Sequence, residues 1–138
     1  MNKKLWIGFV AVFVAVVVIE YIVNNILMMS VYQQTANLWR PMEEMKMGLI
    51  VVTYVFFAFF FTLIFSKGYE GKGLMEGVRY GFYVAMMVTV PAAYMTYATM
   101  PVPYELALKW FLYGTIENII LGCILSLVYG KKQPAPAA

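Results

Sequence analysis

The sequence predicts an all-α membrane protein whose four transmembrane helices pack as a bundle. Of its 138 residues, 63% are hydrophobic and only 12% are charged, whereas soluble domains are roughly 45–50% apolar and 25% charged. The apolar residues gather in four stretches, at residues 5–29, 47–65, 78–99 and 106–129. Each stretch is long enough to cross a hydrocarbon core of about 30 Å.

The elements follow from these stretches and the residues between them. Lys3 and Lys4 precede the first stretch, which is too long for the ~7–15-residue core of a signal peptide, so we expect a retained anchor. Residues 30–46 form the longest connection, and Pro41 favours a helix start there. Pro91 predicts a kink in the third span, and Pro101 and Pro103 close the turn before the fourth.

Basic residues predict the orientation. One side of the predicted bundle carries seven of them and the other side three: Lys3, Lys4, Lys67, Lys72, Arg79, Lys131 and Lys132 against Arg40, Lys46 and Lys109. This asymmetry favours cytoplasmic termini. We therefore expect a single transmembrane domain over residues 1–132 and a flexible cytoplasmic tail at residues 133–138, where proline and alanine dominate.

Small residues four apart indicate where the last two spans pack. The two stripes consist of Gly73, Gly77, Gly81 and Ala85 in the third span, and of Gly114, Asn118, Gly122 and Ser126 in the fourth. Helices in lipid associate through close backbone approach at such residues. The pattern predicts tight packing between spans three and four.

Two glutamates inside apolar stretches are the candidate functional residues. Glu20 lies in the first span, followed by Asn24 and Asn25, and Glu117 lies in the fourth beside Asn118. A carboxyl group at membrane depth is costly and marks a candidate site. Lys109 is the cation that Glu20 is best placed to meet, whereas Glu117 has no basic residue nearby in the predicted bundle.

Two interpretations of these carboxyl groups remain open. They are either interhelical hydrogen-bonding groups, or a protonatable site that exchanges a proton for a cation or substrate. Glu105 and Lys109, four residues apart in the favourable order, predict an ordinary surface ion pair.

The composition excludes several classes of chemistry. The chain has no histidine and one cysteine, Cys123, which removes the usual ligands of zinc, copper, haem and iron–sulfur clusters and the base of a Ser-His-Asp triad. We expect no enzyme activity, no metal and no cofactor. The net charge is only +3, and the basic residues form no patch suited to binding nucleic acid.

The chain resembles a group of small bacterial four-span membrane proteins of unassigned activity. The resemblance is carried by Tyr32, the stretches at residues 35–41, 44–48 and 67–73, and the stretch at residues 77–81. It implies a bacterial inner-membrane location. The architecture is also similar to that of small multidrug-resistance transporters, which have four spans and work as dimers, and whose first-span glutamate binds protons and cationic drugs in turn. Glu20 would correspond to that glutamate, although the longer first outer loop, the extra Glu117 and the glycine placement differ.

These observations favour a non-enzymatic membrane protein, either a self-associating bundle or an accessory subunit of a larger complex. The alternative is a small proton-coupled transporter or channel that uses the intramembrane glutamates. The lipid bilayer is the one partner that the composition itself predicts, and a homo-oligomer is expected because four spans bury little interior.

Overall fold

The computed structural model describes residues 3–132, so the predicted tail at residues 133–138 lies outside the described residues. Four long helices are joined by one long and two short connections: α1 (Lys3–Ile22), α3 (Met47–Gly68), α4 (Leu74–Thr99) and α5 (Tyr104–Tyr129). The long connection contains the short helix α2 (Met29–Gln34) and two 3₁₀ turns, Ala36–Leu38 and Met42–Glu44. The second turn begins directly after Pro41, where a helix start was predicted.

Three segments are long and apolar enough to cross a membrane: Lys3–Leu27, Met47–Gly68 and Tyr104–Tyr129. The fourth long helix, α4, has 26 residues and continues through Pro91, but it does not belong to this apolar set. It carries Glu76, Arg79 and several tyrosines and threonines, which lower its hydropathy. The described chain is thus an all-helical protein with three candidate spans and one long, more polar helix.

The first span changes its helical form at Val23, although an uninterrupted helix was expected to residue 29. Val23–Leu27 is a π-helical turn, in which Met28 N donates to Val23 O (2.8 Å). Asn24 and Asn25 donate their side-chain amides to backbone carbonyls four residues earlier, at Glu20 and Tyr21. Because such side-chain bonds compete with backbone donors, they favour this local widening, a feature that is frequent at functional sites.

The last two helices approach each other more closely than any other pair. A Cβ atom on Gly77 would overlap the backbone of Gly122, and a Cβ atom on Gly81 would overlap the backbone of Asn118. Ala85 and Ser126 are buried in or beside the same contact. The two small-residue stripes therefore meet, as the sequence predicts.

Two members of the stripes behave differently from the rest. Gly114 packs against a side chain, since its Cβ would lie 2.6 Å from Thr89 Cγ2. Gly73, expected in the packing stripe, precedes α4 and has a φ of 89°. Its role is to let the chain turn into α4, because this backbone conformation is open to glycine and strained for other residues.

Helix α1 completes the bundle by packing on both α3 and α5. The main core includes Val12 and Val16 of α1, Phe61 of α3, and Leu121 and Leu125 of α5. At one end of the bundle, Lys4 Nζ donates to Tyr129 O (2.9 Å). The beginning of α1 and the end of α5 are therefore neighbours.

A second core attaches the α2 segment to the opposite end of the bundle. Met28 and Val31 pack with Val102 and Leu106 near the start of α5, and all four are almost fully buried. Because these contacts hold residues 28–31 against α5, the segment that follows α1 turns back over the bundle. This placement brings the side chains of α2 toward those of α1 and α5.

Candidate functional site

Glu20 lies at the last full turn of α1, half-buried, and its carboxyl group is held by a neighbour on the same helix. Asn24 Nδ2 donates to Glu20 Oε2 (2.7 Å) and to the Glu20 carbonyl (2.9 Å). The π-helical turn contains Asn24, so the local backbone change and the hydrogen bond occur at the same place. The Glu20 carboxyl group therefore has a fixed position.

The hydrogen bonding continues from Asn24 to two aromatic side chains. Tyr32 of α2 donates its hydroxyl to Asn24 Oδ1 (2.9 Å), and Trp110 of α5 donates its indole Nε1–H to the Tyr32 hydroxyl oxygen (2.9 Å). Trp39 packs edge-to-face on both rings, with ring centroids 5.6 Å from Tyr32 and 6.0 Å from Trp110. Trp110, Tyr32, Asn24 and Glu20 thus form one continuous chain, called here the donor chain.

Tyr32 keeps its proton under ordinary conditions and is available as a donor. Burial raises the pKa of the Tyr32 hydroxyl, and the nearby Glu20 charge raises it further, while the hydrogen bond from Trp110 lowers it. Because burial is the largest of these effects, the phenol is neutral at neutral pH, where even an ordinary tyrosine with a pKa of about 10 is protonated.

Glu117 lies on α5 opposite Glu20 and is 8% exposed. The two carboxyl groups are close enough to share a hydrogen bond and to feel each other's charge. The sequence places these residues in two separate spans, far apart along the chain. Because α1 packs directly against α5, the fold brings them together.

Both glutamates line a cavity of about 390 Å³ between the four long helices. Tyr54 and Phe57 of α3, Thr89 and Thr96 of α4, and Trp110 of α5 line it as well. Val88 also lines the cavity and is 42% exposed, so the cavity is open to the surroundings of the protein. Its volume falls within the roughly 300–1,000 Å³ of small-molecule sites.

Asn118 also lines this cavity, and its amide oxygen is fully buried. Its Nδ2 group donates to Gly114 O (2.8 Å), but its Oδ1 atom is buried and has no hydrogen-bond partner among the described residues. The side chain is 5% exposed and lines the cavity. Because buried polar atoms are normally paired, this acceptor is an energetic cost of the packing around Asn118 rather than an open contact on the cavity wall.

The structure brings together four of the six predicted polar residues. Glu20, Glu117 and Asn118 line the cavity, and Asn24 holds Glu20. Asn25 lies outside this group and bonds the Tyr21 carbonyl (3.2 Å).

Lys109 is the other residue outside the group, and the pairing expected with Glu20 is wrong. Its ammonium group pairs with Glu105 (2.9 Å), one helical turn earlier on α5, in the predicted i, i+4 arrangement. Glu20 instead meets Asn24 and Glu117, because α1 presents it to the interior of the bundle.

Sequence reasoning missed Tyr32, Trp110, Tyr54 and Thr89 as site residues. Tyr32 lies in the connection at residues 30–46, and amphipathic rings near the ends of spans are usually placed at the membrane interface. One signal in the sequence could have linked Tyr32 to the site. It follows Asn24 by eight residues, about two helical turns, a spacing that can bring two polar side chains near each other. The inclusion of Trp110 could not be read from spacing, because it depends on how α2 packs against α5.

Within residues 3–132, no group of three or more histidine, cysteine, aspartate or glutamate side chains is arranged to hold a metal ion. No protein family model, curated protein or solved structure matches this chain. The candidate function therefore depends on the geometry of the cavity alone.

Proposed function

We propose that this protein is a four-span transporter of the inner membrane that exchanges protons for a small cation at the cavity between Glu20 and Glu117. The observation that carries the proposal is the approach of the two carboxyl groups within one open cavity. Two carboxylates this close repel each other, so the pair favours a state in which it holds a proton or a cation. Binding of one then displaces the other.

The walls of the cavity suit a cation of modest size with some apolar surface. Tyr54, Phe57 and Trp110 present aromatic rings beside the carboxyl groups. Aromatic faces attract cations, by about 0.5–2 kcal/mol depending on desolvation. We expect these groups to favour a monovalent cation over an anion or a neutral sugar.

A transmembrane position for α4 is part of this proposal. The helix has 26 residues and packs along α5, which is itself a candidate span. Two of its threonine hydroxyls are satisfied within the helix, since Thr96 donates to Ala92 O (2.7 Å) and Thr99 donates to Met95 O (2.8 Å). Internal hydrogen bonding of this kind lets threonine enter hydrocarbon. The basic residues near the termini then face the cytoplasm.

The test uses purified protein in lipid vesicles that contain a pH-sensitive dye. Addition of Na⁺, K⁺ or tetraethylammonium outside should raise the internal pH if cations enter in exchange for protons. Glu20→Gln and Glu117→Gln each keep hydrogen-bonding capacity but cannot bind and release a proton, so each should abolish the pH signal. Glu105→Gln is the matched control, because it removes an exposed glutamate of the same chain and should leave the signal intact.

The competing hypothesis is that the glutamates only join helices in an accessory subunit or a self-associating bundle. Under that hypothesis, none of the three cations changes the internal pH in wild-type vesicles, and both glutamine variants keep the oligomeric size of the parent. Recovery of a stoichiometric partner in mild detergent would support the accessory subunit. Proton movement that both glutamine variants retain would likewise contradict exchange at this site.

A further inference from the structure

The donor chain runs in one direction, toward Glu20. Trp110 donates to Tyr32, Tyr32 donates to Asn24, and Asn24 donates to Glu20 Oε2, with distances of 2.9, 2.9 and 2.7 Å. An indole N–H can only donate, so the Tyr32 oxygen accepts and its proton is directed onward. The Asn24 oxygen then faces Tyr32, and its amide hydrogens face Glu20. Glu20 Oε2 must therefore act as an acceptor.

Glu117 has a different environment. Its carboxyl group is close enough to that of Glu20 for the two to share a hydrogen bond. Glu117 is 8% exposed, while Glu20 is half-buried at the edge of the polar chain. A buried carboxyl group without a cation is most stable when neutral, and a hydrogen bond donated to a carboxyl group, such as that from Asn24 to Glu20 Oε2, favours the charged form.

We propose that the donor chain makes Glu20 the charged member of the pair and leaves the proton on Glu117, which donates it to Glu20. Tyr32 and Trp110 are then positioning residues that act through Asn24. The inference rests on the proposed proton-exchanging site and names which carboxyl group releases its proton when a cation binds. It also links the α2 segment to the chemistry of the cavity.

The other groups around the pair do not reverse this assignment. Tyr54 of α3 faces both carboxyl groups and is neutral in its ordinary state. The α4 side contributes the uncharged Thr89 and Thr96. The nearest lysine on α5, Lys109, is paired with Glu105. The difference between the two glutamates therefore comes from the donor chain and from burial.

Infrared spectroscopy of the protein in lipid bilayers at pH 7 tests the assignment. A protonated carboxyl group has its own C=O band, and an exposed glutamate, with a pKa of about 4.3, gives no such band at this pH. The band should be present in the wild type, retained in Glu20→Gln and lost in Glu117→Gln. Loss in Glu20→Gln, or retention in Glu117→Gln, would overturn the assignment. In Glu117→Asp the band should shift in frequency, and an unshifted band would also overturn it.

The positioning role is tested in the Glu117→Gln background, where Glu20 is the remaining cavity carboxyl group. Addition of Tyr32→Phe breaks the donor chain, and we expect a protonated-carboxyl band from Glu20 to appear. Trp39→Phe is the matched control, because Trp39 packs on the same rings but its indole donates to Thr35 (2.9 Å), outside the chain. No new band with Tyr32→Phe, or the same band with Trp39→Phe, would refute the positioning role.

These spectra separate the inference from the proposed function. The spectra can match the prediction in a protein that moves no cation, in which case the transport proposal fails and the assignment stands. If cation exchange is observed but the band persists without Glu117, the assignment fails and the transport proposal stands.

Discussion

Replacement of Gly81 by alanine tests the contact that holds α4 against α5. The new Cβ would lie 2.7 Å from Ile119 Cα, on the backbone of the partner helix. Carbon atoms in contact lie about 3.5–4.0 Å apart, so the two backbones must separate locally by roughly 1 Å. Overpacking of this kind costs about 1–3 kcal/mol, because backbone cannot move aside as a flexible side chain can.

The free energy of unfolding in detergent micelles, measured by titration with SDS, gives the magnitude. A loss of about 1–3 kcal/mol corresponds to a roughly 5- to 150-fold change in the unfolding equilibrium. Gly8→Ala should cost less than Gly81→Ala, because its Cβ would meet the side-chain atoms Leu125 Cδ2 (2.9 Å) and Thr62 Cγ2 (3.0 Å).

Gly48→Ala is the matched control for both substitutions. No atom of residues 3–132 lies within 4 Å of its Cβ position, which is in the first turn of α3. Alanine is the better helix former by up to about 1 kcal/mol, so this variant should be neutral or slightly stabilised. If Gly81→Ala and Gly48→Ala unfold at the same SDS fraction, the proposed backbone contact between α4 and α5 is absent.

Three further predictions concern the loop before α4. Lys72 lowers the pKa of the exposed Glu70 carboxyl by hydrogen bonding and by its charge. The pair therefore stabilises the folded protein above the ordinary glutamate pKa of about 4.3, and this stabilisation is lost as the pH falls through the lowered pKa. Lys72→Met should therefore raise the Glu70 pKa, as measured by NMR titration of the carboxyl carbon, and an unchanged value would exclude the pairing. Glu76→Gln should destabilise the fold by about 1–3 kcal/mol in SDS titration, because its carboxylate accepts the backbone N–H groups of Glu70 (2.5 Å) and Lys72 (2.8 Å); a parental midpoint would contradict this anchoring. Tyr69→Phe removes a hydroxyl that donates to the carbonyls of Gly130 and Tyr129. It should speed amide exchange at the end of α5, by about tenfold for a loss near 1.4 kcal/mol. Equal exchange rates would show that this hydroxyl does not hold the helix end.

The sequence identified the principal residues of the cavity but not their arrangement. Glu20 and Glu117 stand out because carboxyl groups are costly in apolar segments. Their meeting depends on the relative axial positions of α1 and α5, which packing sets and residue spacing does not. Lys109 illustrates the same limit: two partners were within reach in principle, and the local one, Glu105, has the ion pair.

The helix contacts were more predictable than the polar chain. Close backbone approach needs small residues, so Gly77, Gly81 and Gly122 identify a contact face in the sequence itself. The placement of Tyr32 depends on burial of Met28 and Val31 against the start of α5, a tertiary contact with no periodic signal.

The most direct test of the central claim is whether residues 20 and 117 face each other across one cavity. The chain has one cysteine, Cys123, so a Cys123→Ser background leaves introduced cysteines as the only thiols. In membranes of this background, Glu20→Cys combined with Glu117→Cys should be joined by a short bifunctional thiol reagent within one chain. Glu20→Cys with Ile116→Cys is the control, since Ile116 is 54% exposed and points away from the cavity. Efficient cross-linking of the first pair alone is the predicted result. Equal cross-linking of both pairs, or none of the first, would contradict the account.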